Sequence, residues 1–190
     1  MTVTELFTAI RASYVALLSA TAQKDQAHIE PAYRNADGTL ALEGNPALPC
    51  RADFIPKTGP FAGEAYTVDA NSQLEFEPVH FQLSATDIHI QPFTWDWLNL
   101  QVHGLQPDIA GAILADWFMA YFDGEDENQA NEQGLYGVVH FMSAFSQQVQ
   151  QVQQAQALQL TIDLGSVPGS ALEDLMLRLS DAGAQAVHLG

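Results

Sequence analysis

The chain has 190 residues, 47% of them hydrophobic, and its 23 acidic against 6 basic residues give a formal net charge of −17. This composition suits one compact domain over residues 1–190, with lobes 1–105 and 106–190 as an alternative division. Because phosphate groups are bound by clustered Lys and Arg, which this chain lacks, nucleic acid and anionic membranes are disfavoured as partners. A basic protein partner, a cation or mere solubility would each account for the charge.

The single cysteine, Cys50, excludes an internal disulfide, so we expect a reducing, cytoplasmic location. No apolar stretch reaches the roughly 20 residues that span a bilayer. The apolar N-terminal run ends in a small-residue pattern at Ala20–Ala22 that is typical of a signal cleavage site. The acidic Glu5, and the lack of net positive charge before the run, favour a helix of the mature protein instead.

The first segment has the pattern of an amphipathic helix. Apolar residues between Val3 and Leu18 recur at spacings of three and four and form one stripe. Thr2 and Glu5 have the spacing of a capping box. The sequence therefore predicts a helix over about residues 3–22 that covers a sheet.

The middle of the chain has the composition of antiparallel strands, with Pro, Gly and Asn turns between short extended runs. Its clearest alternation predicts a hairpin over residues 79–91 that reverses at 84–87. In this register Gln82 is opposite His89, and the hairpin has one apolar and one polar face.

The polar face of this hairpin gathers His80, Asp87 and His89, because diagonal cross-strand neighbours are within reach of each other. Two imidazoles and a carboxylate can hold zinc with one position open for water. Histidines at a surface are more often hydrogen-bonded than metal-bound, and we predict no metal site. The face remains one place for small-molecule binding or hydrolysis.

After Pro107, helical and extended patterns alternate. Helical stripes lie at residues 109–121 and 145–152 and from 170 to a stop at Gly183, and apolar runs lie at 135–142, 158–164 and 186–189. Ser170 and Glu173 have capping-box spacing. The β-α-β-α-β order favours parallel neighbouring strands. We therefore predict an α/β fold with a mixed sheet, with α+β as the alternative.

Four carboxylates crowd one short segment: Asp123, Glu125, Asp126 and Glu127. The segment is no EF-hand, because Asn128 replaces the required glycine and Gly134 replaces the bidentate glutamate. We interpret it as a contact surface for a basic protein partner.

A ligand site is also predicted where the strand at 158–164 gives way to the following helix. Ligands bind beyond the carboxyl ends of parallel strands, where helix N-termini offer N–H groups, and this places Asp163, Ser166 and Ser170 together. The spacing matches neither a phosphate-binding loop, nor a dinucleotide fingerprint, nor a nucleophile elbow.

Residues 160–168 (LTIDLGSVP), a helix, and residues 183–189 (GAQAVHL) resemble the central strand-loop-helix-strand unit of STAS domains of the anti-sigma antagonist type. The resemblance implies a phosphorylatable residue in the loop, for which Ser170 is the nearest match. The Asp-Ser pair of that family is absent and the loop is shorter, so the chain is not assigned to the family.

Two aromatic clusters suit a core, with part of their surface left for a homodimer or a partner. Alternation places Phe93, Trp95 and Trp97 on one side of a strand and Asp96 on the other, and a second cluster surrounds Trp117. No catalytic motif is present, and no cofactor is expected. The sequence favours a bacterial-type accessory protein that binds or inhibits a basic partner. The alternative is a small-molecule-binding or hydrolytic protein.

Overall fold

A computed structural model shows a mixed α/β domain and describes residues 1–33, 35, 50–64, 66–121, 140–141, 150–152 and 155–190. The helices within these residues are α1 (Val3–Asp25), α2 (Pro107–Tyr121) and α3 (Ser170–Asp181). The strands are β1 (Ala27–Tyr33), β2 (Cys50–Pro56), β3 (Tyr66–Thr67), β4 (Val79–Leu83), β5 (Thr86–Ile90), β6 (Leu98–His103), β7 (His140–Phe141), β8 (Gln150–Val152), β9 (Ala155–Asp163) and β10 (Ala186–Leu189).

The described strands form two sheets. A small antiparallel sheet has the order β1-β2-β3. The main sheet has the order β4-β5-β10-β6-β9-β7, and β8 also pairs with β9. Its neighbouring strands are antiparallel except for β5 and β10, which are parallel. This mixed sheet, with its N-terminal helix, confirms the predicted fold class.

The core lies on one face of the main sheet. Alternate residues of β5, β6 and β10 are buried, among them Ile88, Leu100 and Val187, while the residues between them are partly exposed. Apolar side chains of all three helices belong to the same cluster of buried residues, and so does Phe54 of the small sheet. Fully burying one such aliphatic side chain contributes at most about 1.5–3 kcal/mol, so the cluster dominates the stability of the fold.

The N-terminal helix begins as predicted. Glu5 N donates to Thr2 Oγ1 (3.2 Å), and Thr2 N donates to Glu5 Oε2 (2.7 Å). This second bond, from the backbone of Thr2, is the main reason why the pKa of Glu5 lies below its ordinary value. The capping box is confirmed.

By length and hydropathy alone, Val3–Thr21 is the one helix in the described part of the chain that could span a membrane. Core helices of soluble proteins also meet this criterion. The apolar stripe of α1 is buried in the core, with Leu6, Phe7, Ile10 and Tyr14 each at most 2% exposed. This burial is typical of a core helix in a soluble domain.

The two ends of α3 differ from each other in how well the sequence predicts them. Gly183 ends the helix as predicted: it has a φ of +90°, and its N–H donates to Ser180 O (2.9 Å). Ala184 N donates to Leu179 O (3.0 Å), which completes a Schellman motif. At the other end the predicted Ser170 capping box is wrong, because the N-cap is Gly169 and makes no side-chain capping bond.

The N-cap position of α3 suits a glycine because α1 passes close to it. A Cβ atom at this position would lie 3.2 Å from Phe7 Cβ and 3.3 Å from Thr8 N. A capping side chain is therefore replaced by tight packing between α1 and the start of α3.

Two predictions for the last third are wrong. The end of the predicted helix at 145–152 is a strand, β8, whose pairing satisfies backbone groups along the outer edge of β9. Residues 142–149 lie outside the described residues. The strands β9 and β10 are not neighbours, since β6 lies between them and is antiparallel to both.

The first aromatic cluster departs from the predicted alternation, because a tight turn interrupts it. Trp97 N donates to Thr94 O (2.9 Å). Phe93 and Trp95 are buried as expected, but Trp97 is 50% exposed. Asp96, predicted to lie on the side of the strand away from the rings, is 4% exposed and accepts a hydrogen bond from Ala70 N (2.8 Å). Alternation predicts sidedness only while the chain stays extended.

Candidate functional site

The predicted hairpin forms with a shorter turn than expected. His80 pairs with His89, and Gln82 pairs with Asp87, so the register differs by two residues from the prediction. Ser84, with a φ of +56°, lies in the turn. A shift of two residues keeps every side chain on the same face, because side chains alternate with a period of two. The predicted polar face is therefore present.

Four histidines from four adjacent strands lie on this polar face of the main sheet. His80, His89 and His188 are in direct cross-strand register. Their rings are stacked, with centroids 4.3 and 4.4 Å apart and planes inclined by 17° and 16°. The ring of His103, on β6, is tilted by 60° with its centroid 5.1 Å from that of His188. We call these four side chains the histidine row.

Carboxamide side chains continue the polar face beyond the histidine row. Gln101 is opposite His188, and Gln159 is opposite Gln101. An open-sided cleft of about 520 Å³ lies over this part of the sheet, and it is lined by His89, Gln91, Asn99, Gln101, Gln159, His188, Leu189 and Gly190. The side chains of the lining carry amide and imidazole groups and no carboxylate, so their polarity comes from hydrogen-bonding groups.

Asp87 is the carboxylate beside the histidine row. Its Oδ1 lies 3.6 Å from His80 Nε2 and accepts a hydrogen bond from Gln82 Nε2 at 3.4 Å. The side chains of Asp87 and His80 are 45% and 58% exposed. A polar contact this exposed is screened by water and contributes little to stability.

His188 lies between His89 and His103 in the row. Burial is the main reason why the pKa of His188 is lowered, and the neighbouring charges of His89 and His103 lower it further. Because an unperturbed histidine titrates near pH 6.5, His188 is neutral at pH 7. Protonation of one ring opposes protonation of the next.

The histidine row does not have the geometry of a metal centre. Within the described residues, no group of three or more His, Cys, Asp or Glu side chains is arranged to hold a metal ion. Stacked rings direct their nitrogen lone pairs side by side rather than towards one point. The predicted trio of His80, Asp87 and His89 is adjacent, and its geometry suits hydrogen bonding.

The predicted ligand site after β9 is a tightly built turn. Asp163 is 1% exposed, and its Oδ1 accepts a hydrogen bond from Gly165 N (2.9 Å), where Gly165 has a φ of +51°. Ser166 is 8% exposed, whereas Ser170 is exposed at the first residue of α3. The three predicted side chains thus meet different surroundings, and ligand binding here stays a prediction.

Arg11 of α1 secures the same turn. Its Nε donates to Val167 O (2.6 Å), and one of its terminal nitrogens donates to Ser166 O (2.8 Å). Burial lowers the pKa of Arg11, which nevertheless remains charged. The carbonyl groups of the turn are therefore occupied in joining β9 to α1.

The predicted acidic contact surface of Asp123, Glu125, Asp126 and Glu127 lies outside the described residues. The helix α2 ends at Tyr121, immediately before it.

Sequence reasoning missed His103 and His188. Both occupy outward positions of strands whose inward neighbours, Val102 and Val187, are buried. Alternation alone could have assigned them to a polar face. Their approach to His89 depends on strand order, for which the sequence contains no local signal.

Comparison of the chain with protein-family models, with curated proteins and with solved structures found no match.

Proposed function

We propose that this protein is a cytoplasmic, non-catalytic accessory protein that binds a basic protein partner through its acidic surface. The imbalance of exposed charge supports the proposal. Among the described side chains, only two lysines are exposed, Lys24 and Lys57. Eight carboxylates are exposed: Glu5, Glu64, Asp69, Glu75, Glu77, Asp108, Asp116 and Asp181. A surface with this charge attracts cationic proteins and accelerates their association.

The two arginines with described side chains add little to the surface charge. Arg11 is directed into the turn after β9. Arg178 donates from Nε to Asp174 Oδ2 at 2.8 Å. Internal partners thus use both guanidinium groups, and the negative surface is left uncompensated.

The exposed side of α2 is the described surface that best suits such a partner. Asp108, Ala112 and Asp116 are exposed at successive helical turns. Ile109, beside them, is 47% exposed. The last turn of α2 contains no basic residue, and the helix leads into the acidic segment at 123–127. Carboxylates around an exposed aliphatic side chain are complementary to a basic, amphipathic partner.

The proposal is tested by affinity capture from the host lysate at low and physiological salt, read by mass spectrometry. Wild-type protein should retain a basic protein that the double variant Asp108→Asn/Asp116→Asn binds at least about tenfold more weakly, since each lost charge pair contributes roughly 1 kcal/mol. The control Glu75→Gln/Glu77→Gln removes the same charge elsewhere and should retain it. Capture of the same proteins by all three would refute the proposal.

A second variant examines the acidic segment that follows α2. Neutralising Asp123, Glu125, Asp126 and Glu127 together should also release the basic partner, and the remaining affinity should lose much of its salt dependence. Unchanged affinity and salt dependence would restrict the contact to α2.

Small-molecule binding is the second candidate function, and the cleft beside the histidine row supports it. Ligand sites commonly combine a volume of roughly 300–1,000 Å³ with a few converging polar groups, and this cleft has about 520 Å³. A thermal-shift screen of neutral and charged small molecules, repeated with Gln101→Ala, tests this function. Ligands that stabilise both forms equally would exclude the cleft.

A further inference from the structure

The histidine row can reverse the charge of its face. The strands β4, β5, β6 and β10 contain four histidines, one carboxylate, Asp87, and no Lys or Arg. With neutral imidazoles these strands carry one negative charge. Because histidines titrate near neutral pH, acidification adds positive charge here, within a chain whose formal net charge is −17.

The spacing of the rings makes this positive charge unfavourable without a counter-ion. Ring centroids of 4.3 and 4.4 Å along the row place neighbouring imidazoles in contact. A proton on one ring therefore opposes a proton on the next. An anion beside the rings would interact favourably with several of them at once and would offset that repulsion.

Hydrogen-bond donors for such an anion are already present. The carboxamides of Gln101, Gln159 and Asn99 border the cleft beside His89 and His188. Each primary amide offers two N–H donors, and a protonated imidazole offers two. Donors of this kind bind a compact oxyanion with charge-assisted hydrogen bonds.

We propose that the cleft beside the histidine row binds an oxyanion of the phosphate class, and that this binding strengthens on acidification. The charged or titratable side chains on the strands of the histidine row are His80 on β4, Asp87 and His89 on β5, His188 on β10 and His103 on β6, and β9 contributes the uncharged Gln159 to the cleft. The net negative charge of the whole chain weakens the attraction at long range, but salt screens it beyond about 8 Å. This inference deepens the second candidate function and is independent of the basic partner.

Substitution of Asp87 distinguishes a site that binds anions from a site that binds cations. Its carboxylate lies 3.6 Å from His80 Nε2 and would repel an anion in the row. The substitution Asp87→Asn should therefore tighten the binding of an anion. The same substitution should weaken the binding of a metal ion or a basic peptide.

The test is isothermal titration calorimetry of the full chain with inorganic pyrophosphate at pH 5.5 and 7.5, at constant ionic strength set with chloride. Uptake of about one proton on binding gives an affinity up to about tenfold tighter per pH unit, so we expect clearly tighter binding at pH 5.5. Orthophosphate as a second probe separates a single phosphate group from a longer anion.

Two histidine variants complete the experiment. His188→Gln should reduce the gain in affinity at pH 5.5, because His188 lines the cleft, whereas His28→Gln, on β1 of the small sheet, should keep the whole gain. Circular dichroism shows whether each variant is folded, and Asp87→Asn provides a test that keeps all the histidines.

Equal affinity at both pH values, an unchanged affinity in His188→Gln, or weaker binding in Asp87→Asn would each overturn the proposal. If pyrophosphate fails while a neutral compound stabilises the protein through Gln101, the oxyanion proposal is wrong and small-molecule binding at the cleft stands.

Discussion

The two faces of the main sheet are built from the same strands and have opposite properties. On one face Ile88, Leu100 and Val187 are fully buried. On the other, their sequence neighbours His89 and His188 are partly exposed beside an open cleft. Because side chains alternate along a strand, one set of residues supports the fold and the other is available for binding. Substitutions at adjacent positions should therefore separate stability from binding.

The largest effect is expected on the buried face. Leu100→Ala removes a side chain with 0% exposure from a strand between two partners, and should lower the free energy of unfolding by about 2–5 kcal/mol. Its neighbour Gln101 faces the cleft, and Gln101→Ala should change the free energy by no more than about 0.5 kcal/mol. Urea denaturation of both variants measures the difference. Equal losses would show that the two faces do not divide these roles.

The next effect concerns the hydrogen bonds that join α1 to the turn after β9. Arg11→Met removes two hydrogen bonds to the turn at 166–167 and should cost about 2 kcal/mol, because partly buried carbonyl groups lose a charged donor. Arg178→Met breaks a pair with Asp174 on the surface of α3 and should cost about 0.5 kcal/mol or less. Denaturation midpoints compare them. A larger cost for Arg178→Met would contradict the structural role of Arg11.

A smaller effect on stability is expected when threonine is replaced by valine, and it should differ between the two faces of the sheet. Thr86 is 1% exposed, and its hydroxyl donates to Ala184 O at 2.6 Å, so Thr86→Val should cost about 1–2 kcal/mol by leaving that carbonyl unpaired. Thr161 donates to Asn99 Oδ1 (3.1 Å) on the polar face, where water can replace the bond, and Thr161→Val should cost about 0.5 kcal/mol or less. Thermal unfolding distinguishes the two. Similar shifts would mean that the polar face is closed to water.

The smallest effect is a pH dependence of stability that originates on the polar face. The pKa of His188 is lower in the folded than in the unfolded protein, so the unfolded chain binds protons more readily as the pH falls below about 6.5. The free energy of unfolding should therefore decrease slightly from pH 7 towards pH 5 in phosphate-free buffer. His188→Gln should flatten this decrease, and His28→Gln should not. A decrease that is identical in all three proteins would assign it to other groups.

The features that the sequence predicts correctly are those with local causes. The capping box of Thr2 and Glu5, the helix stop at Gly183 and the strand at 186–189 each depend on residues that are close in the chain. The polar face of the hairpin also follows from local alternation, although its turn is shorter than predicted.

The features that the sequence does not predict depend on contacts between distant segments. The position of β10 between β5 and β6 brings His188 to His89, and no local pattern specifies this pairing. Trp97 is exposed and Asp96 is buried because Thr94 starts a turn inside an apparently regular alternation. The sequence therefore predicts the histidines of the hairpin, His80 and His89. It does not predict that His103 and His188 extend the same row.

The central position of β10 has a consequence for the order of folding. β10 follows every other described strand of the main sheet in the chain, yet Val187 pairs with both Ile88 and Val102. Until residues 186–189 have been synthesised, β5 and β6 each expose an edge without a neighbouring strand. Such an edge can pair with another chain and so promote aggregation. We expect the hairpin and the β6–β9 pair to form first and to be joined in a late, slow step by one short strand. Newly made chains would then depend on rapid pairing of β10, or on a chaperone, to protect both edges.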